Sequence, residues 1–282
     1  MPAIRMQDWP FCEWMPKLYP ARMLLLGCNA LAPTLLCHGI IGTFVKAVTV
    51  EDAPISKPIV IAAMQDMGNV GSIAIDFINK SLQTKLFRYV SIPFPNYVVD
   101  NGGYIDFKQE SWEYRYGSEG SVVVFGGGMG QPQTNQELYD MCQDVIDVAK
   151  KYSAQLVYTL GAFHTTRPYG KEPKALVTAT TMDLSERIQK LGFEPTPGSS
   201  LITGFNGLVL GLAKENGLQG IGLYAEIDNP QIPQFRSAKS LVIALEKLTY
   251  QKFRGIEELD ELAGRIENEV ESGLWRDDPT GG

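Results

Sequence analysis

The sequence predicts an α/β fold, a three-layer αβα sandwich around a mostly parallel central sheet. Two observations carry this expectation. Short unbroken apolar runs, such as PIVIAAM at 58–64 and SVVVF at 121–125, sit between prolines and glycines, as strands buried on both faces do. Segments with apolar residues at helical spacing alternate with them, the signature of βαβ units.

The elements follow in order. Residues 48–57 are polar, contain Pro54 and mark an expected boundary before the strand at 58–64. The loop 65–71 (QDMGNVG) leads into a helix at 72–82, where Ile73, Ala74, Phe77, Ile78 and Leu82 share one face. A strand at 87–92, a loop at 93–103 and a hairpin of two short strands within 104–116 come next, then the strand 121–125 and the loop 126–132. Thr134 and Glu137 have capping-box spacing and open a helix with Leu138, Met141, Cys142, Val145, Ile146 and Ala149 on one side. A strand at 155–160, a long loop at 161–174 and a strand at 175–180 precede a helix whose start carries a second capping pattern, Asp183 with Glu186. A helix at 203–216, a strand at 220–227 and amphipathic helices at 237–248 and 256–274 complete the chain.

Composition narrows the function. The chain has 282 residues, 25 Lys and Arg against 32 Asp and Glu, and a formal net charge of -7. It has no basic run to grip a phosphate backbone, so nucleic acid is not an expected partner. Cys12, Cys28, Cys37 and Cys142 show no Cys-x-x-Cys spacing, and the histidines are His38 and His164. Neither a metal site nor a disulfide framework is expected, and reduced thiols fit a cytoplasmic protein. Residues 23–45 lack Asp, Glu, Lys and Arg. That length could span a bilayer, which needs roughly 20 residues, but Pro33, three glycines and polar side chains weaken it. Residues 1–47 are therefore read as an extension and 48–282 as the domain. A membrane-tethered form through 23–45 is a minor reading.

Ligands of such sheets bind at loops after the strand C-termini. The residues there that suit an anion are Gly68, Asn69 and Gly71, then Gly127, Gly128 and Gly130, then His164 and Arg167, and Glu226 at the end of a strand. The glycines offer backbone amides, but the Lys-Ser/Thr of a phosphate loop is missing and the dinucleotide spacing is absent, so tight strand-to-helix turns are the plainer reading. His164 stands without a positioned nucleophile, and Glu226 with Asp228 suits loop capping as well as acid–base work. No catalytic set, cofactor or metal is expected.

The segments GNVGSIAIDF at 68–77, PNYVVDNGG at 95–103, SVVVFGGGMGQPQ at 121–133, TLGAFHTTRP at 159–168, ALVTATT at 175–181 and ITGFNGLVLGLAKENGLQGIGLYAEIDNP at 202–230 together resemble the proteasome-assembly-chaperone type 2 family. The resemblance spans most of the chain beyond residue 47. It implies a fold related to the nucleoside phosphorylases, a homo-oligomer, often a trimer, and relatives that help α subunits of the 20S proteasome assemble. Many such chaperones end in a hydrophobic–Tyr–any tripeptide, whereas this sequence ends DDPTGG, so docking by that route is not expected unless a paralogous subunit supplies the tripeptide. A non-enzymatic assembly factor or scaffold is the leading expectation. A small-ligand protein or enzyme with an anion pocket on the strand-end loops is the rival.

Overall fold

A computed structural model describes residues 45–92, 98–106, 111–117, 121–128, 130–165, 172–198 and 201–273. The apolar segment at 23–44, Arg167 and the end of the chain from 274 lie outside the described residues. The strands are β1 (Lys46–Thr49), β2 (Ile59–Ala62), β3 (Lys85–Ser91), β4 (Val99–Asp100), β5 (Ile105–Asp106), β6 (Ser111–Tyr116), β7 (Val122–Gly127), β8 (Leu156–His164), β9 (Ala175–Ala179), β10 (Glu194–Pro195) and β11 (Gly220–Ile227). The helices are α1 (Val70–Leu82), α2 (Asn135–Lys151), α3 (Met182–Lys190), α4 (Gly204–Glu215), α5 (Phe235–Thr249) and α6 (Glu257–Glu271).

Among the described residues, nine strands form one sheet in the order β1-β3-β6-β7-β2-β8-β11-β9-β10, and β4 pairs with β5 apart from it. The expectation of a mostly parallel sheet is corrected to a mixed one. The centre, β7-β2-β8-β11, is parallel, and so is β9 with β10. The pairs β1–β3, β3–β6, β6–β7 and β11–β9 are antiparallel. Parallel neighbours need a long crossover, usually helical. No helix stands among the described residues between β3 and β6 or between β8 and β9. The sequence of β6 carries the antiparallel sign, since Trp112, Tyr114 and Tyr116 are buried and alternate with more exposed residues.

Side chains of each strand alternate between two cores. Ile61 packs with α1, α3, α5 and α6 residues such as Phe77, Ile188, Leu241 and Leu259. Val60 and Ala62 pack on the other face with α2 and α4, through Met141, Val145, Phe205 and Val209. On that second face Tyr114 meets Phe125 at 4.6 Å between ring centres, and Phe125 stacks on Phe205 at 5.4 Å. A charged group is built in beside them: the Arg88 guanidinium pairs with Asp144, whose Oδ2 also accepts from the Tyr114 hydroxyl at 2.7 Å.

The capping box of α2 is present, with Glu137 N donating to Thr134 Oγ1 at 3.2 Å and Thr134 N donating to Glu137 Oε2 at 3.1 Å. The second capping assignment is corrected. Thr181 caps α3 by accepting from Leu184 N at 3.3 Å, while Asp183 pairs with Arg187 one turn on. The expected hairpin within 104–116 also changes: β5 pairs back to β4, and β6 joins the main sheet. Two short strands, β1 and β10, flank the sheet where the sequence shows no apolar run. No helix among the described residues is long and apolar enough to cross a membrane.

Candidate functional site

The central strands β7, β2, β8 and β11 all deliver their following loops to one end of the sheet. From β2 the chain enters α1 on one face, and from β7 it enters α2 on the other. Divergent connections of this kind open a crevice between neighbouring strands. Here polar side chains and backbone groups knit that end together.

Asp66, directly after the apolar run of β2, is the centre of the arrangement. Its Oδ1 accepts from Gly71 N in the first turn of α1 at 2.9 Å. The amides of Val70 and Ala162 add electrostatic support outside hydrogen-bond geometry. Removal from water outweighs these favourable contacts and pushes the Asp66 carboxyl up to about 7. Its second oxygen is buried without a hydrogen-bond partner, and so is Asn206 Oδ1 near the start of α4. Both side chains crowd the position that a Cβ on Gly161 of β8 would occupy, and the Tyr224 ring borders the same space. Asn206 is held by donating from Nδ2 to Leu160 O at 3.0 Å.

A chain of carboxamides surrounds this group. Gln131 Nε2 donates to Gln65 O at 3.2 Å, and Gln131 Oε1 accepts from Phe205 N at 3.4 Å. The loop after β7 is thereby joined to β2 and to the first turn of α4. Gln65 Nε2 donates to Asn69 Oδ1 at 3.2 Å. Two backbone bonds of 2.8 Å, from Gly68 N to Pro230 O and from Gln234 N to Gly68 O, join the β2 and β11 loops.

The structure brings some expected site residues together and separates others. Gly68, Asn69 and Gly71 lie around Asp66, and Gly130 approaches the Gln65 carboxamide. These glycines serve packing: a Cβ on Gly68 would strike the Gln234 side chain, and one on Gly71 would strike Leu160 O. Gly127 and Gly128 lie instead against β6. Gly128 has φ 73°, and its missing Cβ makes room for the Trp112 indole, whose buried Nε1 has no partner. The N-terminus of α2 beyond this loop already holds the Glu137 carboxylate. His164 is exposed at the end of β8, in register with Ile227. Glu226 is bound to Lys174 in both directions, accepting from Lys174 N through Oε2 and donating its own amide to Lys174 O.

Sequence reasoning missed Gln65, Asp66, Gln131 and Asn206. The available signal was a carboxylate two residues beyond the apolar run that ends at Met64. Among the described residues no group of three or more His, Cys, Asp or Glu side chains is arranged to hold a metal ion.

The architecture is that of a three-layer α/β protein on a mixed sheet, with strand-end loops bound to one another by backbone and carboxamide contacts. The PAC2 family model matches residues 60–272, and the chain belongs to the PAC2 family. The crystal structure of Pyrococcus furiosus PbaB, an archaeal proteasome activator, superposes with a TM-score of 0.71 at 21% identity, covering 83% of this chain and 100% of that one. Pyrococcus furiosus PbaA, an archaeal homologue of proteasome-assembly chaperone, gives 0.67 at 21% identity, with 82% and 91% covered. A Mycobacterium tuberculosis proteasome-assembly chaperone homologue gives 0.60 at 18% identity, with 78% and 97% covered. The uncharacterized protein MJ1210 of Methanocaldococcus jannaschii is 24% identical over 228 residues, which are 77% of this chain and 87% of the relative. At these identities the likeness shows a shared fold.

Proposed function

We propose that this protein is a non-enzymatic assembly factor that binds protein subunits through the loops at the C-terminal end of its parallel strands. One observation carries the reading: several loops at that end hold large apolar side chains out to solvent. Leu201, ahead of α4, is 92% exposed, Ile105 on the β4–β5 hairpin is 70% exposed, and Met67 after β2 is 46% exposed. Exposed apolar side chains on neighbouring loops suit contact with other proteins. The PAC2 family and the proteasome-related relatives support a proteasome-related partner; in this reading it is the 20S proteasome α subunits, with further copies of this chain, as a trimer, or a paralogous subunit completing the assembly in the cytoplasm. The phosphorylase kinship implied by the sequence resemblance enters only as a shared layout. The rival anion pocket would adjoin the Asp66 carboxyl, which repels an anion where it is ionised, above about pH 7.

Native mass spectrometry of the full chain, alone and mixed with α subunits from the same source, tests this. A defined complex is expected, and it should be lost in the paired variant Ile105→Asp and Leu201→Asp, whose sites are exposed and whose fold should persist. A chain that ignores the α subunits, or a complex indifferent to both substitutions, overturns the reading.

A further inference from the structure

A groove of about 680 Å³ lies between α5 and the far edge of the sheet at β9 and β10, with the last residues of the loop after β8, Glu172 to Lys174, on its rim and the Asp66 group outside its lining. Its volume falls in the range of small-molecule sites, roughly 300–1,000 Å³. The α5 wall is a stripe at helical spacing: Lys239 and Ser240, then Ile243 and Ala244, then Lys247. Phe193 faces it from the turn after α3.

The charges along this stripe are not equivalent. Lys239 is paired to Asp260 at 2.6 Å, and Arg236 forms two bonds to Glu267 at 2.6 and 2.8 Å. On the opposite rim Lys174 is paired to Glu194 at 2.7 Å. Lys247 has no carboxylate partner among the described residues. Its ammonium instead stands over the Phe193 ring, 4.9 Å from the centroid. One turn before it, Ile243 is 48% exposed inside the groove. Lys247 therefore stands at the end of an apolar strip with no carboxylate bound to it while the other cations are paired, and the exposed Glu172 carboxylate lies on the Lys174 rim of the groove.

We propose that this groove binds an organic anion with an apolar body. A carboxylate head takes the hydrogen-bond donors of Lys247, and the body lies over Ile243 and Ala244 against Phe193. A second extended chain added to the sheet edge fits less well, because the edge strand β10 has two residues and one of them is Pro195, which has no amide to donate. This inference does not rest on the partner assigned to the strand-end loops, and it stands or falls separately.

Decanoate is a suitable probe, with decanol as its uncharged match, titrated into the full chain and followed by calorimetry. Saturable decanoate binding is expected, weakened roughly tenfold or more in Lys247→Gln, as loss of a charge-assisted bond requires. Ile243→Glu, at an exposed position, should abolish it, and decanol should bind wild type and Lys247→Gln alike. Absence of saturable decanoate binding at millimolar concentration overturns the proposal. So does equal decanoate affinity in wild type and Lys247→Gln, since an apolar surface alone would then account for it.

Discussion

The side chains of Asp66 and Asn206 both border the space that a Cβ on Gly161 would fill. One belongs to the loop after β2 and the other to the first turns of α4, and the backbone they share lies on β8. Three elements distant in sequence are joined at one glycine.

Gly161→Ala should therefore be costly. The new methyl would displace the Asn206 carboxamide and strain its bond to Leu160 O. Overpacking of this kind costs about 1–3 kcal/mol. Urea unfolding should show a lower midpoint with an unchanged slope, whereas an unchanged midpoint would mean that Asn206 moves aside freely.

Asp66 gives the fold a pH dependence with a defined sign. Its carboxyl titrates near 7 in the folded chain against an ordinary value of 3.8. The folded state therefore holds the proton more tightly. The stability this group contributes is complete below the ordinary carboxylate range and is lost as pH rises towards 7. Asp66→Asn has no such proton. The stability of wild type relative to that variant should fall between about pH 4 and 7 and level off above. A difference independent of pH would show that Asp66 ionises normally in the fold.

Gly128→Ala combines a left-handed backbone with a collision against the Trp112 indole. A loss of about 1–3 kcal/mol is expected. A shift in indole fluorescence relative to a Trp112→Phe background would locate the damage at that ring. An unshifted spectrum with unchanged stability would contradict the contact.

The Arg88–Asp144–Tyr114 group makes a different demand. Asp144→Ala would leave a largely buried guanidinium and the Tyr114 hydroxyl without their acceptor. Breaking such a pair costs about 3 kcal/mol or more. The double variant Arg88→Met with Asp144→Leu should recover much of that loss, because it removes the unpaired charge as well. Thermal unfolding of the three proteins measures both steps.

Much of the layout was legible because it is written locally. The apolar runs of β2 and β7 need burial on both faces, and Thr134 with Glu137 announces the start of α2 three residues apart. Strand direction was less so. It depends on whether a helix intervenes, and the alternation in Ser111–Tyr116 was available but outweighed by the parallel-looking runs around it. Thr181 shows the same limit on a smaller scale, because Asp183 has the right chemistry for a cap while the hydroxyl two residues earlier has the right backbone. The Asp66 group was least legible. Asp66, Gly161 and Asn206 acquire their relation only when β2, β8 and α4 are assembled, and the glycines that drew attention in the sequence are there to let neighbours approach.

The strand order also has a consequence for how the chain comes off the ribosome. Among the described residues β9 and β10 join the rest of the sheet only through β11, which is made after both of them and inserts between β8 and β9. Until residue 227 has emerged, the edge built from residues 175–195 has no sheet to join, and the parallel centre presents β8 as an unpaired border. Synthesis therefore passes through a stage with an open sheet edge, a known hazard for wrong pairing. The segment that carries β11 is the closing piece of the domain, and a nascent chain arrested before it would expose that border to its neighbours on the polysome.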